Sequence, residues 1–145
     1  MRNLRFGLVP LLCALSCLGQ DSVIHDKTGA CQLTIPAGWS SSPSSSWVAT
    51  APGNVGTVQV ISQPGKSVRP LTAGDQKALL VGKLISNTPQ SVFYLNEPPK
   101  TGNPLRSYRA VAPGKAGTCV ALISVRAAVK EDTLKEMVAT LSAAQ

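Results

Sequence analysis

Cys31-Gln32-Leu33-Thr34-Ile35-Pro36-Ala37-Gly38-Trp39 is the stretch on which the reading of this chain turns. Leu33 and Ile35 alternate with Gln32 and Thr34, the period-two pattern of a strand buried on one face. Pro36 cannot donate to a ladder and Gly38 suits a turn, so the strand ends there and Trp39 folds back onto the sheet. The pattern predicts an edge of the sheet, with Cys31 free to fasten it to the rest of the fold.

Upstream of that strand the chain has a different character. Arg2 and Arg5 precede an almost unbroken apolar run from Phe6 to Leu18, followed by small residues and polar Gln20-Asp21. A basic start, a short apolar run and small residues are the marks of a secretory signal peptide, here residues 1–19. The run is too short for a comfortable membrane span. Ala14-Leu15-Ser16-Cys17 also resembles a bacterial lipobox, with Ala14 and Leu15 where leucine and a small residue are usual. By that route Cys17 would be lipidated and would anchor the chain; otherwise the product is secreted or periplasmic. Residues 20–30, which include the single histidine, His25, lack apolar pattern and read as a flexible lead-in.

Removing the leader takes two of the 14 Lys+Arg and none of the seven Asp+Glu, so the formal net charge falls from +7 to +5. The remaining charges are scattered singly from Lys27 to Lys135. A nucleic-acid surface would cluster them and interleave aromatics, so a nucleic-acid partner is not expected. Residues 31–145 make one domain, large enough to fold around a single core. Of the four cysteines, Cys31 and Cys119 lie outside the leader. In an exported chain the simplest reading of such a pair is one disulfide, and two buried thiols are the other.

Working outward from Trp39, the serine-rich run 40–46 reads as a solvated loop. Trp47–Thr50 and Val55–Ser62, joined by Pro52-Gly53-Asn54, read as a β-hairpin. Thr72-Ala73-Gly74-Asp75 has the form of a capping box, and Leu80, Val81, Leu84 and Ile85 follow at helical spacing. That pattern predicts a helix from Thr72 to Asn87. Strands are then expected at Ser91–Asn96, Leu105–Ala112 and Thr118–Val125, the last apolar enough to be central and covered on both faces. Leu134, Met137, Val138 and Leu141 predict an amphipathic helix over Asp132–Leu141, capped by Asp132. The order is β-β-β-α-β-β-β-α, an α+β domain with helices packed on an antiparallel sheet. Ala51–Thr57 and Ala112–Thr118 echo each other in sequence, each between two strands. Similar turn chemistry used twice explains the echo more simply than duplication, because the flanking strands do not match.

Leu33-Thr34-Ile35-Pro36-Ala37-Gly38-Trp39 resembles the opening of Mog1/PsbP-like domains, and the closing helix 135–142 is similar to their ends. The resemblance implies an α/β/α sandwich around a central antiparallel sheet, and a family whose members are mostly non-enzymatic. It places no functional residue on this chain.

The residues themselves offer little catalytic chemistry. Gly114-Lys115 lacks the preceding glycine of a phosphate loop, because Arg109 stands there. A triad would have to recruit His25 from the lead-in. The carboxylates are dispersed, with no spacing for a metal or a paired acid and base, so no cofactor, metal or catalytic residue is assigned. Trp39 and Trp47 read as core packing rather than as a ligand groove. The expectation is therefore a non-catalytic binding or accessory domain of the cell envelope, acting through protein–protein contacts. One alternative is a small-ligand carrier or enzyme with a groove between sheet and helix, using Tyr94, Arg106, Tyr108 or Arg109 as polar contacts. A lipid-anchored structural protein, through Cys17, is the other.

Overall fold

The computed structural model describes residues 21–100 and 102–145. The predicted signal peptide, residues 1–19, and the lipidation expected at Cys17 lie outside the described residues. The described chain opens with four strands: β1 (Ser22–His25), β2 (Cys31–Ile35), β3 (Ser40–Ser42) and β4 (Ser45–Thr50). A single helical turn at Pro52–Asn54 leads into β5 (Gly56–Pro64), followed by the short helix α1 (Ala73–Ala78). Four more strands follow: β6 (Val81–Asn87), β7 (Val92–Asn96), β8 (Arg106–Pro113) and β9 (Gly117–Val125). Helix α2 (Glu131–Val138) and β10 (Ser142–Ala143) close the chain.

The strands form two sheets, and every pairing is antiparallel. The smaller has the order β1-β2-β10, the larger β3-β4-β5-β9-β8-β7-β6. The α+β class is thus as the sequence predicts, with more strands than predicted. β9 is the central strand of the larger sheet. β2 is no sheet edge: it lies in the middle of the smaller sheet, because Ser22–His25 pairs with it where a flexible lead-in was expected. Asp26 makes that pairing work by accepting hydrogen bonds from the Cys31 amide at 2.8 Å and the Thr28 amide at 3.0 Å, which closes the β1–β2 turn. The serine run also departs from a simple loop: β3 pairs with β4 as an exposed edge.

Cys31 and Cys119 are joined in a disulfide, with 5.5 Å between their Cα atoms. It ties β2 to β9, and therefore one sheet to the other. Both cysteines are buried, within a core formed by one face of the larger sheet, the smaller sheet and α2. Cross-strand rows line that face. Phe93, Ala110, Ala121 and Val60 form one, and Tyr108, Ile123, Val58 and Ala49 the next. All eight belong to the core. Trp39 turns inward against it, with its amide donating to the Pro36 carbonyl at 3.1 Å. Trp47 is half-buried elsewhere, and the Lys27 ammonium lies 4.6 Å from its ring centre.

The final helix docks through Leu134, Met137 and Val138, with Leu141 just beyond it, as the spacing predicts. It starts at Lys130 with no side-chain cap, so Asp132 does not cap it.

The helix predicted over 72–87 is the main departure. The capping box forms as expected, Thr72 and Asp75 each bonding the other's backbone, but the helix lasts only to Ala78. Leu80 then takes a left-handed conformation, φ 53°, and the chain becomes β6. Two register shifts in its pairing with β7 interrupt the alternation of side chains. A bulged strand can therefore carry apolar residues at a spacing that mimics a helix. Gly82 marks the true state, because a side chain there would press on the Glu97 backbone across the pair.

The sequence echo has a structural counterpart. Gly56 pairs with Val125 and Gly117 with Pro64, so the twofold of the β5–β9 pair exchanges the two glycines. Each sits where the end of the opposite strand leaves no room for a side chain. A Cβ on Gly56 would come within 2.6 Å of Val125 Cγ1, and one on Gly117 would collide with the Gln63 carbonyl. The two hairpins nonetheless turn differently. The Ala51 amide reaches the Gly56 carbonyl across four residues, whereas the Gly114 amide reaches the Gly117 carbonyl across two.

Candidate functional site

β8 carries three of the four residues predicted to line a groove, and its alternation divides them. Arg106 and Tyr108 point to the core side, Arg109 to the opposite face. In β7, Tyr94 sits directly across from Arg109. The four do not form one site.

Arg106 and Tyr108 form an internal clamp. Arg106 Nη2 donates to the Val129 carbonyl at 2.6 Å and to the Arg126 carbonyl at 3.2 Å, and Nη1 donates to the Tyr108 hydroxyl at 3.2 Å. These bonds hold the 126–129 loop that delivers the chain into α2. Tyr108 is buried, with its ring 5.7 Å from that of Phe93. Burial pushes its hydroxyl pKa up, against the opposing pull of the Arg106 charge. The Tyr108 hydroxyl and both terminal nitrogens of Arg106 are thus engaged within the fold, while Arg106 Nε is buried without a partner.

Tyr94 and Arg109 instead form the polar part of a cleft on the other face of the sheet. Its floor is two cross-strand pairs, Tyr94 with Arg109 and Val92 with Val111. Its roof is the 67–79 segment, which brings in Val68, Leu71 and Leu79 together with Arg69 and Asp75. The cleft has a volume of about 350 Å³ and is open to solvent at one side.

Local chemistry holds the roof in place. Asn87 grips Leu71 from both sides: its Oδ1 accepts from the Leu71 amide at 2.6 Å and its Nδ2 donates to the Leu71 carbonyl at 3.1 Å. Arg69 pairs with Asp75 through both terminal nitrogens, at 2.8 and 3.2 Å, and Asp75 also accepts from the Thr72 amide. Those bonds, from Arg69 first and Thr72 second, lower the Asp75 pKa to about 2. Further along, Asn96 Nδ2 donates to the Leu79 carbonyl at 2.9 Å and the Glu97 amide to the Leu80 carbonyl at 2.7 Å.

The electrostatics of the cleft follow from this arrangement. Both oxygens of Asp75 are engaged, so it is not free to neutralise Arg109. Among the described residues no carboxylate lies within ion-pairing distance of the Arg109 guanidinium. Burial pushes the Tyr94 pKa up, with the Arg109 charge partly offsetting it, so the phenol stays protonated and able to donate. Two donors stand side by side above an apolar floor. Leu79, which lines the cleft, is 43% exposed; Leu80, next to it in sequence, is 59% exposed and holds a left-handed backbone. A leucine in that conformation costs energy that a glycine would not, a feature that concentrates at binding and switch sites.

The roof residues Leu71, Leu79 and Asn87 escaped sequence reasoning. Asn87 has the look of a helix stop, and no periodic signal identifies it as the bracket for a residue 16 positions earlier. His25, the one histidine, lies exposed at the end of β1. Among the described residues no group of three or more His, Cys, Asp or Glu side chains is placed to hold a metal. No helix among them is long and apolar enough to cross a membrane. Comparison with known proteins finds no matching family model, no similar curated protein and no similar solved structure.

Proposed function

We propose that this protein is an exported, non-catalytic binding domain of the cell envelope, and that it binds a small ligand in the cleft between the 67–79 segment and β7–β8. The observation that carries this reading is the cleft itself, an apolar floor with Tyr94 and Arg109 set into it. Its volume is at the lower end of the range for small-molecule sites, roughly 300–1,000 Å³. Export is supported by the leader-like N-terminus and by the Cys31–Cys119 disulfide, which is compatible with an oxidising compartment. The Mog1/PsbP-like affiliation belongs to the same proposal and rests on the Leu33–Trp39 opening and the closing helix.

Nile red, a neutral dye that brightens in apolar sites, tests the cleft directly. Saturable binding to the native protein is expected, together with its loss in Ala78→Trp. Ala78 is exposed at the cleft wall, so the indole fills the mouth from outside and leaves the core alone. Equal binding by both proteins would overturn the reading. A second reading, contact with another envelope protein, is favoured by the adjacent Leu79 and Leu80, whose exposure is unusual for large apolar side chains.

A further inference from the structure

The cleft has a direction, and the direction defines a ligand class. Along its floor, Val92 and Val111 provide an apolar surface. Leu71 and Leu79 close over it from the roof. Two residues along each strand, on the next cross-strand pair of the same face, stand Arg109 and Tyr94. An apolar trough thus ends at two adjacent hydrogen-bond donors, one of them permanently charged.

The other charges facing the cleft are already matched. Arg69 and Asp75 neutralise each other in a bidentate pair, and Asp75 is bound further to Thr72. Arg109 alone keeps an unbalanced charge. A half-buried cation without a counter-ion is an unfavourable arrangement that an incoming anion relieves, and burial makes the pairing stronger than on open surface. A guanidinium presents a planar fork that fits the two oxygens of a carboxylate. The neighbouring phenol can give a third hydrogen bond to the same group.

We propose that the cleft takes a small amphipathic monocarboxylate, its carboxylate held by Arg109 and Tyr94 and its apolar body lying along Val92 and Val111. The inference rests on the cleft being the binding site, and adds the charge and polarity of what enters it. Charge complementarity at Arg109 is what selects this occupant over a neutral one.

Octanoate and 1-octanol differ at the head group alone, so displacement of Nile red by each isolates the role of charge. The ratio of their affinities is the measurement. Octanoate is expected to bind the native protein about tenfold or more tightly than 1-octanol, as a charge-assisted hydrogen-bonded pair implies. In Arg109→Gln that ratio should collapse towards one, and in Tyr94→Phe it should fall by a smaller factor. Circular dichroism and the melting temperature establish that each variant is folded before its ratio is read. If Nile red binds in the cleft but the native ratio is already near one, or is the same in Arg109→Gln, the carboxylate assignment is wrong while the binding site stands. If Nile red is indifferent to Ala78→Trp, both fail together.

Discussion

Tyr94 and Tyr108 are almost equally buried, at 3% and 2% exposure, and lie on adjacent paired strands. Their surroundings differ completely. Tyr108 faces the side of the sheet covered by α2, the smaller sheet and the disulfide, and its hydroxyl is engaged by Arg106. Tyr94 faces a side covered by one segment with a six-residue helix that buries none of its own residues. Burial alone does not separate a structural tyrosine from a binding one. What separates them is whether the covering layer is cross-linked into the core and whether the polar atoms are already committed. The inner face should therefore respond to mutation in stability, and the outer face in binding.

The largest effect is expected at the disulfide. Cys119→Ser removes a link across 88 residues of chain, which the chain-entropy model values at roughly 4–5 kcal/mol, with about 2–5 kcal/mol typical when a native disulfide is removed. The melting temperature should fall on the order of 10 °C, by the scaling between stability and melting for a domain of this size. In the native protein without reductant, thiol labelling should find neither Cys31 nor Cys119 reactive. Complete labelling of both would remove the link between the two sheets and with it the basis for calling one face rigid.

A matched pair of arginine substitutions comes next in size. Arg106→Met leaves the Arg126 and Val129 carbonyls and the Tyr108 hydroxyl without their donor, and should cost about 1–3 kcal/mol in denaturant unfolding. Arg109→Gln breaks no ion pair with a described residue and should change stability by no more than about 0.5 kcal/mol. Equal losses at the two positions would erase the distinction between the faces.

The degree to which all this was legible in the sequence follows the same division. The inner face was readable because β2 and β5 alternate, through Leu33 and Ile35 and through Val58 and Val60, and because β9 is a nearly continuous apolar run. The hairpin through Pro52-Gly53-Asn54 and the docking face of α2 follow from local pattern, and the Cys31–Cys119 pair from being the two cysteines outside the predicted leader. The region around the cleft was misread because its structure depends on partners far away in sequence. β6 carries bulges that imitate helical spacing, so tertiary pairing with β7 overrides the local signal. One miss lies on the inner side: β1 has only one buried residue, Ile24, and declares itself a strand through pairing with β2. Of the four groove residues, Tyr94 and Arg109 can be grouped only once the β7–β8 register is known, and the same register removes Arg106 and Tyr108.

Acid provides the finest test of the comparison, because each region contains a carboxylate with a depressed pKa. Asp26 stands beside the disulfide. Burial pushes its pKa up, but hydrogen bonds from Thr28 and from the Cys31 amide outweigh that and hold it below the ordinary value. Asp75 is held at about 2 by Arg69 and Thr72, and it secures the roof of the cleft. A group with a lowered folded-state pKa contributes its stability above the unfolded value, here near 3.8, and loses it as the pH falls through the folded one. The roof should therefore loosen as the pH falls from 3.8 towards about 2, seen as loss of protection at the amides that Asp75 and Thr72 bond. Carboxyl-carbon NMR should place the Asp75 midpoint at about 2, and Arg69→Gln should raise it towards the ordinary 3.8. The Asp26 midpoint should not respond to that substitution, since its hydrogen bonds come from Thr28 and Cys31. A native Asp75 midpoint already at the ordinary value would mean that the Arg69 pair does not persist in solution. Asp75 would then be free to turn to Arg109, and the unbalanced charge that orients the cleft would disappear.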